Sequence, residues 1–245
     1  MRNEILTTNT TNYKLDKFTY TSCDEASDVF DSFSDTQKGQ MATVYQNAFG
    51  GEPWYEKFAC LSCGAYAAGS SCPTCWKEDL PEAYPMDALV NETFPEMLDR
   101  FTPGVLLIAY DTEENVSGFS TGGFISLEGL VDFKYKGDER TLFSLEKKGG
   151  IDRKADVFYD NETCIDPSRQ KSGLGRLFSQ ERLQTAVSMD TETVCGRTIN
   201  LPWLRLKERQ LTASSYTVSS FTPEGDTYAM NGVQRRFYVA KKGGK

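Results

Sequence analysis

Four cysteines set the first chemical constraint. "FACLSCGAYAAGSSCPTCW" places Cys60, Cys63, Cys72 and Cys75 in a C-x2-C-x8-C-x2-C pattern. Two CxxC turns can aim four thiolates at one point, and tetrahedral Zn²⁺ takes sulfur ligands at about 2.3 Å. Gly64 follows the first pair, where a tight turn needs a permissive backbone, and Pro73 stiffens the second. Four thiolates leave no position for a substrate water, so the motif reads as a closed, structural knuckle. A catalytic zinc or a redox cluster is the alternative. Lys57 and Lys77 are the only basic residues between Tyr55 and Glu82, which argues against nucleic-acid contact by this module. Cys23, Cys164 and Cys195 are isolated and read as small buried apolar residues.

A second pattern lies in "TCIDPSRQKSGLGRLF", where Pro167 is followed by Gln170, Gly173 and Gly175 between a strand and a helix. A helix start exposes N–H groups without partners and carries partial positive charge. A glycine-containing turn lets those groups converge on phosphate oxygens. Gln170, Lys171 and Arg176 add polar or cationic contacts. The spacing is neither the GxxxxGK[ST] P-loop nor the GxGxxG dinucleotide fingerprint. On spacing alone, an ordinary strand-to-helix turn is the competing reading.

The chain contains no histidine. This removes Ser-His-Asp triads, Cys-His dyads and His-ligated catalytic zinc. A general base must then be a carboxylate, Lys, Tyr, Cys or a water relayed by one of them.

The elements that would position these groups follow from periodicity and caps. "KFTYTSC" alternates like a strand. Ser34 and Gln37 have capping-box spacing, and Met41, Val44, Tyr45 and Ala48 share one helical face that ends at a Gly-Gly pair. "PMDALVNETFPEML" reads as a helix interrupted at Pro95. Residues 105–127 read as a hairpin, whose strand glycines imply close approach by another backbone or a ligand. Residues 132–153 carry many charges and read as an irregular connection. A strand over "ADVFYDNETCIDP", a helix from about Gly173 to Val187, a strand at "TVCGRTIN", a helix capped by Asn200, and strands at "SYTVSSF" and "VQRRFYVAKK" complete the chain.

The 245 residues have a net charge of −8, which disfavours nonspecific nucleic-acid binding and weakly favours cationic substrates. The sequence shows neither a secretion signal nor an apolar run long enough to span a bilayer, so the expected compartment is the reducing cytoplasm. There, metal binding is favoured over disulfides.

"VFYDNETCIDPSRQKSGLGRLF" resembles the central motif of the GNAT acyltransferase superfamily: a strand ending in apolar-x-Pro, then Q/R-x-x-G-x-G/A, then a helix. Gln170, Gly173 and Gly175 match in register. "MATVYQNAFGGEPWYE" resembles the first helix of many members. The likeness spans roughly Phe18 to Val239, and its specific part is the central motif. The resemblance implies an α/β (α+β) fold with a mixed central sheet flanked by helices. It implies an acyltransferase domain over 13–245, with a zinc-ribbon-like insertion at 56–80 and a loose start at 1–12.

The resemblance also implies N-acetyl transfer from acetyl-CoA to an amine of a small molecule or protein. The backbone of Thr163, Cys164 and Ile165 would hold the pantetheine. The turn Gln170, Lys171, Ser172 and Gly173, with the N–H groups of Leu174, Gly175 and Arg176, would hold the pyrophosphate, and Asn200 would contact the cofactor. Glu162 would be the base, with Asp160 as substitute. Leu211 stands where many relatives carry a Tyr that protonates the leaving thiolate, so Tyr216 or Tyr228 would replace it, or the thiolate would leave unprotonated or take its proton from the substrate ammonium. The alternative is a catalytically inactive member of the fold that recognises a partner through its knuckle. Trp54 and the Arg235-Arg236 pair read as a half-buried ring and solvated strand charges, with contact to acceptor or substrate as the sharper alternative.

Overall fold

The computed structural model describes residues 2–7, 13–226, 229–230 and 233–243. In chain order the elements are β1 (Arg2–Thr7), β2 (Lys14–Tyr20), α1 (Cys23–Asp31), α2 (Asp35–Gly50), β3 (Phe58–Ala59), β4 (Tyr66–Ala67) and α3 (Met86–Ala88). A π-turn (Leu89–Thr93) joins α3 to α4 (Phe94–Asp99). Then come β5 (Gly104–Tyr110), β6 (Val116–Ser126), α5 (Leu127–Tyr135), α6 (Glu139–Gly149) and β7 (Asp156–Ile165). After a short 3₁₀ turn at Pro167–Arg169 follow α7 (Leu174–Ser188), β8 (Thr193–Thr198), α8 (Leu201–Ala213), β9 (Tyr216–Phe221), β10 (Ala229–Met230), β11 (Val233–Gln234) and β12 (Arg236–Lys242).

Eight strands form one mixed sheet in the order β1-β2-β5-β6-β7-β8-β12-β9, flanked by helices. β12 runs antiparallel to both β8 and β9, whereas β7 and β8 are parallel. This is the mixed α/β class the sequence implies. Residues 2–7, which read as a loose start, pair with β2.

By packing, the chain divides into two compact units. One comprises Met1–Asp99, Leu106–Ser120 and Thr163–Gly175, and the other Arg100–Val105, Thr121–Glu162 and Arg176–Lys245. The first is centred on aromatic contacts: Phe18 lies 5.3 Å edge-on from Phe33, and Phe94 lies 5.5 Å from Phe119. Each such buried ring contributes about 1.5–3 kcal/mol relative to exposure. In the second unit Phe101 stacks 5.8 Å from Tyr159, and Phe178, Phe237 and Tyr238 are buried.

Local chemistry explains the helix starts. The Ser34 side chain accepts from the Gln37 N–H while Gln37 reaches back to the Ser34 backbone, the expected capping box. Two sequence expectations are corrected. Most of residues 132–153 is helical rather than irregular: α5 runs to Tyr135 and α6 covers Glu139–Gly149, with Asp138 as its cap and Thr141, Leu142, Leu145 and Gly149 as its buried stripe. The helical run around Pro95 is not broken there, because the wider π-turn comes just before it and Pro95 then sits in the first turn of α4. The strand glycines do mark a close backbone approach. A Cβ on Gly123 would lie 2.6 Å from the Pro103 carbonyl oxygen.

Candidate functional site

The four-cysteine motif folds as two matching turns. Cys60 N donates to Ala65 O (2.8 Å) and Gly64 N to Cys60 O (2.7 Å). Twelve positions on, Cys72 N donates to Lys77 O (2.8 Å) and Trp76 N to Cys72 O (3.1 Å). The residue after each pair takes positive φ, 73° at Gly64 and 60° at Trp76. All four Sγ atoms lie within 4.8 Å of one another, with Cys60–Cys75 and Cys63–Cys72 each at 3.5 Å. A tetrahedron with metal–sulfur arms of about 2.3 Å has edges of roughly 3.8 Å, so the donor set fits Zn²⁺ in size and chemistry. The Cys75 N–H, opposed by burial and joined by the Thr74 N–H, holds the Cys72 thiol down to about 6. Cys60 and Cys72 form a small core with Ala67 and Leu80. Of the isolated cysteines, Cys164 and Cys195 are buried as expected, but Cys23 is exposed, with its thiol 3.9 Å from the Asp99 carbonyl oxygen.

The glycine-containing turn begins where β7 ends. Gln170, Lys171, Ser172 and Gly173 are all exposed, and Leu174 opens α7. Lys171 and Gly173 adopt φ of 63° and 90°. At Gly173 the left-handed backbone, not crowding, demands glycine, since a Cβ there would meet nothing within 4 Å. Open space in front of the helix start and two left-handed residues beside it suit an anionic group. Immediately upstream, Thr163 Oγ1 lies 3.1 Å from Ser120 Oγ, and Cys164 is buried.

Further back on β7, the parallel pairing with β8 covers Phe158↔Val194, Tyr159↔Cys195 and Asp160↔Gly196. Arg182 of α7 instead donates to the Glu162 carbonyl (3.0 Å) and the Thr121 carbonyl (2.7 Å), which satisfies those oxygens where the ladder stops. Asp160 anchors the same point: its carboxylate lies 2.7 Å from Arg182 Nη2 and 2.5 Å from Lys207 Nζ, and accepts from the Tyr238 hydroxyl at 2.5 Å. Burial raises the Asp160 carboxyl, but Arg182 and Lys207 outweigh it and hold the group below its ordinary value. The substitute base of the sequence reading is thus committed to a buried ionic cluster.

Glu162 pairs with Lys134 of α5 at 2.9 Å. Burial opposes its ionisation, yet Lys134, then Arg197 and Arg235, hold the carboxyl below the ordinary range. Lys134 in turn is lowered by burial and by Arg197, as expected where several cations crowd one carboxylate. Arg235, read as a solvated charge, therefore acts on Glu162.

The remaining expected groups have other partners. Tyr216 is buried and donates to the Thr191 carbonyl at 2.7 Å, so as an acid it would have to give up that bond. Burial raises its pKa. Asn200 caps α8 by accepting from the Trp203 N–H at 3.0 Å. Tyr228 lies outside the described residues. Sequence reasoning missed Lys134, Arg182, Arg197 and Lys207. None belongs to a motif, and only tertiary packing brings them to β7.

No family model and no curated protein matches the chain. Among solved structures it is similar to mosquito arylalkylamine N-acetyltransferase like 5b (12% identity, TM-score 0.47, covering 93% of this chain and 99% of that one). It is also similar to a putative acetyltransferase of the GNAT family from Desulfovibrio desulfuricans (10%, TM-score 0.43, covering 93% and 98%). A third similar structure is nourseothricin acetyltransferase (12%, TM-score 0.35), of which the chain spans 66% while 57% of its own length is covered. No helix among the described residues is long and apolar enough to cross a membrane.

Proposed function

We propose that the chain is an acetyl-CoA-dependent N-acetyltransferase acting on an amine acceptor, with a structural Zn²⁺ in its four-cysteine knuckle. The observation that carries this reading is the turn after β7. Gln170, Gly173 and Gly175 stand in GNAT register, Gly173 takes a φ of 90°, and the turn opens exposed onto the start of α7. In this reading the turn and the N–H groups of Leu174, Gly175 and Arg176 hold the diphosphate, and the Thr163–Ile165 backbone pairs with the pantetheine.

The reaction forms a C–N bond from the acceptor nitrogen to the thioester carbonyl and breaks the C–S bond. A backbone N–H at Cys164 or Ile165 polarises the carbonyl oxygen. Glu162, ionised at neutral pH, takes the ammonium proton through water, and the thiolate is protonated from solvent.

Calorimetry on zinc-loaded protein should show heat with acetyl-CoA, and Gly173→Asp should abolish it. Free-thiol release with peptide, polyamine, aminoglycoside and amino-acid acceptors then reads turnover. No heat with any coenzyme A derivative would overturn the reading.

A further inference from the structure

Gly64 and Trp76 hold the same place in the two turns of the knuckle. Each donates its N–H to the carbonyl of the first cysteine of its pair, and each has positive φ, 73° and 60°. At Gly64 a Cβ would meet nothing within 4 Å, so the left-handed backbone alone makes glycine suitable there. The second turn puts a tryptophan into that conformation, which strains a bulky residue. Burial does not offset the strain: Trp76 is 82% exposed, and its ring contacts no other ring among the described residues.

Leu61, 83% exposed, lies beside it. The residues flanking these two meet on both sides: the Cys60 and Cys75 sulfurs are 3.5 Å apart, and Lys77 Nζ donates to Ser62 Oγ at 3.2 Å. The two apolar side chains therefore project from adjacent stretches of chain. The small core of the knuckle, Cys60, Cys72, Ala67 and Leu80, includes neither. A single exposed apolar residue needs no account, but a strained tryptophan paired with a leucine on a rigid turn does.

The surrounding charge selects what could cover them. Both cations of the knuckle are engaged within it, Lys77 on Ser62 and Lys57 over the Phe58 ring at 5.7 Å. Glu78, Asp79 and Glu82 are exposed and make no ion pair among the described residues. An open indole face beside unpaired carboxylates attracts cations. The same field opposes nucleic acid and anionic lipid, and a net charge of −8 opposes a second copy of the chain.

We infer that Leu61 and Trp76, flanked by Glu78 and Asp79, form a docking surface for a basic protein segment that carries Lys or Arg beside an apolar residue. The cation covers the Trp76 ring, and the apolar residue packs on Leu61. This goes beyond the acyl-transfer reading and does not rest on it.

The test is fluorescence anisotropy with the full chain, supplied with Zn²⁺, and a labelled peptide of repeated Lys-Leu-Gly units. Repeated Glu-Leu-Gly is the acidic control. The basic peptide should bind at least about tenfold more tightly, and Trp76→Gly should remove most of that preference. Trp76→Gly restores the residue of the twin turn, so zinc content and melting temperature should stay at wild-type values. Glu78→Gln combined with Asp79→Asn should weaken the basic peptide several-fold and flatten its salt dependence; asparagine tolerates the left-handed backbone at Asp79 (φ 54°). Absence of basic-peptide binding, equal affinity for the acidic peptide, or unchanged affinity in Trp76→Gly would overturn the proposal. So would dimerisation, or binding to phosphatidylcholine vesicles, that Trp76→Gly abolishes in a chain indifferent to the peptide. Peptide binding is read without coenzyme A, so a failure of the transferase reading leaves this outcome untouched.

Discussion

Glu162 and Lys134 form the contact on which the proposed proton transfer turns. A carboxylate facing Lys134, Arg197 and Arg235 is held in its base form well into acid. Its proton affinity is correspondingly low, so it serves as a relay to water rather than as a strong acceptor. Glu162→Gln should lower kcat by about 10²–10⁴-fold with little change in acetyl-CoA affinity. Lys134→Met removes the nearest cation, so the Glu162 carboxyl rises and the acid limb of kcat/KM should move to higher pH. A full rate in Glu162→Gln, with melting unchanged, would dismiss Glu162 as base. The family resemblance singled out Glu162, three residues before Ile165, as the candidate base, but not its ion-pair partner. Lys134 sits in a charge-rich stretch where one lysine looks like any other until α5 brings it against β7.

At the scale of elements, caps and turns were legible wherever a short-range rule decides the backbone. The Ser34–Gln37 box, Asn200 before Pro202 and the glycine turn before α7 all fall where the rules put them. α6 was hidden by its charge. Its signals (Asp138 as cap, Thr141, Leu142 and Leu145 as stripe, Gly150 at φ 61°) were present, but so many charged residues dilute the apolar periodicity. Leu89–Thr93 could not be foreseen, since a π-turn has no compositional mark. The knuckle is the element most dependent on something other than its own core, which consists of Cys60, Cys72, Ala67 and Leu80. On the structural-zinc proposal, a strong chelator should therefore raise hydrogen exchange across residues 58–80 before the large sheet responds. Simultaneous loss of protection in both, or no metal in protein purified under reducing conditions, would remove the structural-zinc reading.

For the whole molecule, the Asp160 cluster ties global stability to pH. The Asp160 carboxyl is held below 3.8, so the stability it contributes is complete above that value and fades as pH falls through its lower folded one. Lys207 behaves in the opposite sense: burial, opposed by Asp160 and helped by Arg182, brings it from 10.5 to about 8. Between those values the native state binds fewer protons than the unfolded chain, so Lys207's contribution rises with pH by about 1.4 kcal/mol per unit at most. Urea unfolding of wild type and Lys207→Met should show a difference that shifts in favour of wild type from pH 8 upward. A constant difference would mean that Lys207 does not titrate in this window.

The borders between the two compact units fall at 99/100, just after α4, and at 105/106, 120/121, 162/163 and 175/176, inside β5, β6, β7 and α7. Only the first of the five lies between elements. No contiguous gene fragment encodes either half intact, and an expression vector carrying only one half must sever strands in mid-ladder. A smaller working version of this protein is therefore to be sought by trimming loops at the surface, not by cloning a domain.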